Sequence, residues 1–230
     1  MPALRSLSDR RLATFAALAG LSLLVVAMIA ARAAYSGFVI HEYLVWNLFL
    51  AWIPLGLALL VYDGVRRGAA RFPLIVLGVL WVLFFPNAPY LVTDLKYVGE
   101  FEGAPLWYDV VLLSSAAWAG LALGFISLFL MHAVARRLWG ALNAWLVVGL
   151  VLVLSSFGIF LGRFQRWNSW DVFTDPGPLV GQLADGLASP LDYPLALAVT
   201  AVFTAFLGST YLVFYAFARL SGALDESRSA

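Results

Sequence analysis

Two aspartates and two arginines are the side chains of this sequence best suited to chemistry. Asp94 and Asp109 stand at the ends of long apolar segments, and Arg163 and Arg166 begin the longest polar loop. A carboxylate can act as a general base, which makes Asp94 and Asp109 the candidate catalytic residues. A guanidinium presents a planar fork of donors that suits a phosphate or carboxylate head group. These residue types therefore predict a site for an anionic ligand, with acid–base chemistry as an added possibility.

The four charged residues belong to a larger polar layer that the sequence predicts at one depth, near the outer ends of the apolar segments. The candidate binding residues in this layer are Asn47, Asn87, Tyr90, Asp94, Asp109, Arg163, Arg166, Trp167, Asn168 and Asp171. The same layer has a purely structural interpretation, in which Arg163 and Arg166 pair with Asp94 and Asp109 and hold helix ends together. The sequence leaves both interpretations open.

The composition excludes several kinds of site. The chain has no cysteine, so disulfides and thiolate chemistry are impossible, and only His41 and His132 supply imidazole. Two carboxylates with Asn87 or Asn168 have the oxygens that Mg²⁺ or Ca²⁺ prefers, but no spacing is diagnostic. We therefore predict no metal site and assign no cofactor. With a net charge of +1 and no basic patch, the chain is not predicted to bind nucleic acid.

The elements that must position these residues are membrane helices. Of 230 residues, 63% are hydrophobic and 12% are charged, and the mean hydropathy is +0.91. Soluble domains carry about 25% charged residues, so the sequence predicts a single all-α, polytopic transmembrane bundle over residues 1–230. Six segments approach the roughly 20 residues that a membrane helix needs. The predicted spans are approximately 12–31, 44–62, 72–92, 107–131, 142–162 and 193–217.

Charge predicts the orientation of these spans. Placing both termini in the cytoplasm puts ten of the 14 basic residues inside, as the positive-inside rule requires. Residues 163–192 then form a long outer loop. A cleaved signal peptide is the alternative for the first segment, because residues 31–33 read Ala-Arg-Ala, but its apolar run exceeds the usual 7–15 residues. We expect a multi-pass membrane protein.

The segment Phe84–Asp94, with the sequence FFPNAPYLVTD, interrupts the third span. Pro86 and Pro89 each remove a backbone donor and disturb the preceding helical turn. If helical periodicity continues, Asn87, Tyr90 and Asp94 share one helix face. This predicts either a kinked helix end or a break that faces a ligand, since irregular backbone is tolerated where it packs in protein or lines a wet cavity.

Small residues at helical spacing predict close helix packing. Gly120-x-x-x-Gly124 and Gly158-x-x-x-Gly162 suit a contact between the fourth and fifth spans, or with a second copy of the chain. Asp109 shares a face with Gly120, so a protein-facing ridge would also turn Asp109 towards protein.

Four strings in the sequence resemble a known family. These are WNLFLAWIP at 46–54, FPNAPYLVTDL at 85–95, WYD at 107–109 and GRFQRWNSWD at 162–171. They resemble the bacterial integral-membrane family known as domain of unknown function 1361 (DUF1361), over about residues 40–217. The resemblance implies a multi-spanning inner-membrane protein and carries no activity and no catalytic residue.

Three functions are compatible with this sequence. The polar layer favours binding of, or action on, a lipid-like or phosphate-bearing amphiphile at the extracytoplasmic boundary, with membrane lipids as partners. A broken helix with polar residues is also typical of a small-solute transporter. The small-residue ridges favour a non-catalytic assembly role, as a homo-oligomer or with a membrane protein partner. Whether the chain is an enzyme stays open.

Overall fold

The computed structural model of the chain describes residues 2–167, 174, 177 and 193–229, and this part is helical without strands. Its elements are α1 (Pro2–Ser36), α2 (Tyr43–Arg67), α3 (Arg71–Phe84), α4 (Asn87–Tyr90), a 3₁₀ helix (Leu91–Tyr97), α5 (Leu106–Phe164) and α6 (Pro194–Ser229). The predicted all-α class is confirmed for the described residues.

Within the described residues, five helical stretches are long and apolar enough to cross a membrane. They are Asp9–Ser36, Tyr43–Arg67, Arg71–Tyr97, Leu106–Phe164 and Pro194–Ser221. The first continues beyond the predicted end at residue 31, so Arg32 lies inside α1 and not in a loop. The fourth includes both the predicted fourth and fifth spans.

The chain divides into two compact units. The first unit comprises Met1–Leu55 and Asn87–Gly124, and the second comprises Gly56–Pro86 and Phe125–Ala230.

In the first unit, α2 supplies a regular apolar stripe. Leu44, Leu48, Ala51 and Leu55 follow one another at spacings of four, three and four residues, and all are buried. This spacing keeps the four side chains on one helix face, as in an amphipathic helix packed on protein. Trp52 adds a polar contact, because its indole Nε1 donates to the Ser22 hydroxyl of α1 at 3.1 Å.

The condition for a shared face of Asn87, Tyr90 and Asp94 is not met, because the α-helical repeat does not continue through this segment. α3 ends at Phe84, Asn87 and Tyr90 begin and end the single turn α4, and Asp94 lies in the following 3₁₀ helix. A 3₁₀ helix has three residues per turn, so the spacing that aligned Asp94 in an α-helix no longer does so.

The glycine ridges pack against this interrupted segment. In the first unit, a Cβ at Gly120 would collide with the carbonyl oxygen of Ala88 and lie 2.8 Å from the Leu91 side chain. In the second unit, a Cβ at Gly158 would lie 2.9 Å from the Pro86 ring. Both glycines therefore allow close packing of the chain, as predicted. The residues packed against them are those around Pro86 and Pro89.

In the second unit, α5 changes direction at Gly140. This residue has φ 85° and ψ 173°, outside the helical region, in an otherwise helical run. The ring centroids of His132 and Trp145 are 4.5 Å apart. Thirteen residues of straight helix would separate them by about 20 Å, so the chain folds back at Gly140.

Candidate functional site

A buried ion pair joins α1 to α5 in the first unit. Arg32 Nε donates to Asp109 Oδ1 at 2.7 Å, and Arg32 Nη2 donates to Oδ2 at 3.0 Å. Each residue is 1% exposed. This two-point geometry is the strong form of a guanidinium–carboxylate contact. Asp109 thus faces protein, as the small-residue ridge predicted, and the residue that pairs with it is Arg32.

Neighbouring groups fix this pair in place. Arg32 Nη2 also lies 3.4 Å from the carbonyl oxygens of Phe101 and Glu102. Tyr108, next to Asp109, donates its hydroxyl hydrogen to the carbonyl of Met28 at 2.8 Å. The C-terminal end of α1 is therefore held to the start of α5 by the side chains of two successive residues.

His41 completes the cluster from the linker between α1 and α2. It is 1% exposed, and its Nε2 lies 3.9 Å from Asp109 Oδ1. Its Nδ1 lies 3.2 Å from the Tyr43 hydroxyl, and its ring meets the Phe101 ring edge-to-face at 5.3 Å. The backbone of His41 is left-handed, with φ 71°. Strained backbone of this kind is concentrated at functional positions.

Burial is the main influence on the ionisation of His41. It lowers the pKa of the imidazole below its ordinary value, because the charged form loses hydration. The Asp109 carboxylate and Glu42 oppose this effect on the pKa, and the Arg32 charge reinforces it. The net direction is downward, so His41 is neutral at physiological pH.

Two nitrogens of this cluster have no hydrogen-bond partner among the described residues, Arg32 Nη1 and His41 Nε2. Buried polar groups are nearly always paired, so each unpaired one calls for an explanation. With the Tyr43 hydroxyl donating to Nδ1, the neutral imidazole carries its hydrogen on Nε2. Both nitrogens are then donors beside Asp109, an arrangement that can receive one or two acceptor oxygens.

The second candidate carboxylate, Asp94, is fully buried in the 3₁₀ helix. Asn47 Nδ2 of α2 donates to its Oδ2 at 3.3 Å. Asn87 and Tyr90 are half-buried in α4, and the Thr93 hydroxyl donates to the Tyr90 carbonyl at 2.7 Å. The structure therefore brings Asn47 and Asp94 together, as the predicted polar layer requires.

The remaining candidates do not belong to the first unit. Arg163 is half-buried in the last turn of α5, Arg166 is exposed with φ 61°, and Trp167 is half-buried; all three lie in the second unit. The backbone N–H of Trp167 donates to the Leu161 carbonyl oxygen at 3.2 Å. Asn168 and Asp171, and nearly all of the predicted loop beyond them, lie outside the described residues.

Three or more His, Asp or Glu side chains in metal-binding arrangement do not occur among the described residues. The donors found at Asp109 are cationic or neutral nitrogens, which suit an oxygen acceptor and not a cation. The cluster is accordingly a candidate site for an anionic or carbonyl oxygen.

Sequence reasoning missed Arg32 and His41 as site residues. Arg32 appeared to be a loop residue beyond the first span, and His41 stood alone with no motif around it. One signal was available, since a single arginine at the end of a long apolar helix is costly there unless an acid pairs with it.

Comparison with known proteins places the chain in a family. A family model described as "Protein of unknown function (DUF1361)" matches residues 46–213. No curated protein and no solved structure matches the chain. The matched residues include α2 from residue 46, the proline-containing segment and Asp109, whereas Arg32 and His41 precede them. Since the match covers well over half of the sequence, this membrane-type helical chain belongs to the DUF1361 family.

Proposed function

We propose that this protein binds the polar head of an amphiphile, a phosphate-bearing or similarly lipid-like molecule, at the outer boundary of the membrane. The observation that carries the proposal is a pair of buried nitrogens beside Asp109, Arg32 Nη1 and His41 Nε2, which have no hydrogen-bond partner among the described residues. An incoming phosphate or carbonyl oxygen would satisfy both nitrogens and remove the cost of burying them unpaired.

The geometry favours binding over catalysis. Asp109 already accepts a hydrogen bond from Arg32 on each of its oxygens, so its charge is engaged by a fixed cationic partner. Asp94 is buried and accepts from Asn47. The Arg32–Asp109 pair is better suited to fix the position of hydrogen-bond donors. The ligand would accept hydrogen bonds from Arg32 Nη1 and His41 Nε2.

The proposal includes a membrane topology with six crossings and both termini in the cytoplasm. The fold-back at Gly140 supports division of α5 into two crossings, and ten of 14 basic residues then lie inside. The amphiphile-binding cluster lies on the extracytoplasmic side in this topology. A bacterial cytoplasmic membrane is the location we propose.

The test is native mass spectrometry of the detergent-purified protein with two probes, phosphatidylglycerol and undecaprenyl phosphate. His41→Asn removes the Nε2 donor and retains a residue that tolerates left-handed backbone. Glu42→Gln, at the exposed neighbouring position, is the matched control. We expect H41N to retain one probe molecule fewer than wild type and E42Q retain, with thermal stability within a few degrees of wild type. Equal retention by all three proteins, or by none, refutes the proposal.

A structural role is the second candidate. It is favoured by the two-point Arg32–Asp109 contact, which joins α1 to α5 without any ligand. In that case the chain would act as a non-catalytic membrane assembly partner. Cross-linking in native membranes should then capture a second copy or another membrane protein at fixed stoichiometry. Recovery of cross-linked monomer alone would exclude this role.

A further inference from the structure

The second unit contains a cavity that is not lined by Arg32, His41 or Asp109, the three residues called the outer cluster below. Its volume is about 150 Å³, and it is lined by Phe129, His132, Ala133, Arg136, Tyr215 and Arg219. These residues come from α5, before its fold-back, and from α6. A cavity of this volume takes a benzene ring, so a phosphate group fits it.

Two arginines converge on one atom at this cavity. Arg136 Nη1 donates to the Tyr215 hydroxyl oxygen at 2.7 Å, and Arg219 Nη1 lies 3.4 Å from the same oxygen. Both arginines are exposed. Among the side chains that the structure describes, which do not include those of residues 222–229, neither guanidinium has a carboxylate oxygen within 4 Å. Each guanidinium has five N–H donors, so most remain for a ligand.

The third group is a buried imidazole. His132 is 1% exposed, its Nδ1 lies 3.0 Å from the Tyr211 hydroxyl, and its Nε2 has no partner among the described residues. With Tyr211 donating to Nδ1, Nε2 carries a hydrogen and is a donor. The ring stacks on Tyr215 at 5.0 Å and meets Trp145 edge-to-face at 4.5 Å. The imidazole is thus fixed in orientation at the wall of the cavity.

We infer that this cavity binds a phosphate group, with Arg136 and Arg219 at its mouth and His132 Nε2 at its buried end. Two guanidiniums beside an unpaired N–H donor fit a tetrahedral oxyanion, which accepts hydrogen bonds from several directions. The phosphate can come from the head group of an anionic phospholipid or from a soluble phosphate compound. The sequence carries the site as helical repeats, H-x-x-x-R at 132–136 and Y-x-x-x-Y-x-x-x-R at 211–219.

The experiment separates these two sources. The full-length protein in nanodiscs of uncharged phosphatidylcholine is titrated with inorganic phosphate by calorimetry. In parallel, native mass spectrometry counts phosphatidylglycerol retained by the detergent-purified protein. Saturable phosphate binding without lipid retention identifies a soluble ligand, and retained lipid identifies a phospholipid. Failure of both probes to bind overturns the inference.

The variants distinguish a built site from general attraction by positive charge. Arg136→Gln and Arg219→Gln should each lower the affinity for the probe that binds by about tenfold to a hundredfold, the usual effect of losing a charge-assisted hydrogen bond. Arg137→Gln, at the adjacent exposed arginine outside the cavity, should leave binding within about twofold. Equal losses for R136Q and R137Q overturn the inference.

His132→Gln tests the buried end of the site. It should weaken binding while thermal unfolding shows that the variant is folded. The outer-cluster variant H41N should leave this binding unchanged, so failure of the outer site and failure of this one remain distinguishable. An R136Q/R219Q double variant that binds as wild type does would also refute the assignment.

Discussion

The Arg32–Asp109 pair gives the sharpest prediction. Asp109→Asn keeps the shape of the side chain and removes its charge, which leaves the Arg32 guanidinium buried without a counter-ion. Both side chains are 1% exposed or less in the structure, so water cannot replace the lost carboxylate without a rearrangement. Breaking a buried pair by removal of one partner costs about 3–5 kcal/mol. For a chain of this size that corresponds to a fall in Tm of roughly 6–20 °C.

The assay is thermal unfolding of the detergent-purified protein, followed by the fluorescence of its nine tryptophans. Wild type, Arg32→Met, Asp109→Leu and the R32M/D109L double variant form a thermodynamic cycle. D109N is measured beside them, with Glu42→Gln as the control at an exposed acid. Replacing both charges by apolar residues is often neutral or stabilising, so the double variant should unfold well above D109N. The reasoning is refuted if D109N lowers Tm no more than E42Q does. It is also refuted if the double variant shows the sum of the two single losses.

Two further predictions concern the same unit. Gly120→Ala should cost about 1–3 kcal/mol of unfolding free energy, because its methyl group would overlap the Ala88 carbonyl. Gly149→Ala, where a Cβ meets nothing within 4 Å, should be neutral or stabilising in the same thermal assay, and equal losses would contradict the packing argument. For His41, the lowered pKa means that the unfolded chain binds the proton more readily, so stability is complete above about pH 6.5 and falls as the pH drops towards the folded pKa. Relative to His41→Asn, wild type should lose up to about 1.4 kcal/mol per pH unit as the pH falls below 6.5; a relative gain in acid would mean that Asp109 captures the protonated ring.

The helices were predictable because long apolar runs between charges leave few other structures in a membrane. The predicted spans therefore overlap the helices. The helix end at Ser36 was not predictable, because α1 continues past Arg32 only where Asp109, 77 residues later, neutralises that charge. The charge of Arg32 indicates that an acid should pair with it, but the sequence does not identify which acid.

The candidate site was predictable in its residue types but not in its contacts. Asn47 and Asp94 meet as the polar layer implied. The small-residue ridge correctly predicted that Asp109 faces protein. It gave no indication that Arg32 is the residue paired with Asp109. His41 depends on a left-handed backbone conformation and on the ring of Phe101, and both follow from tertiary packing. The proline segment was recognisable as a break, but the choice of a 3₁₀ helix after it depends on its neighbours.

The glycine at position 140 has a consequence for how this chain fits any membrane at all. Straightened, α5 would be a rod of 59 residues, or about 88 Å, roughly three times the thickness of a hydrocarbon core. Gly140 has a φ of 85°, which other residues rarely adopt, although open space surrounds the position. Any side chain introduced there would favour the rod through backbone preference alone. The change of direction that shortens α5 thus lies at a position where the backbone conformation suits a residue without a Cβ.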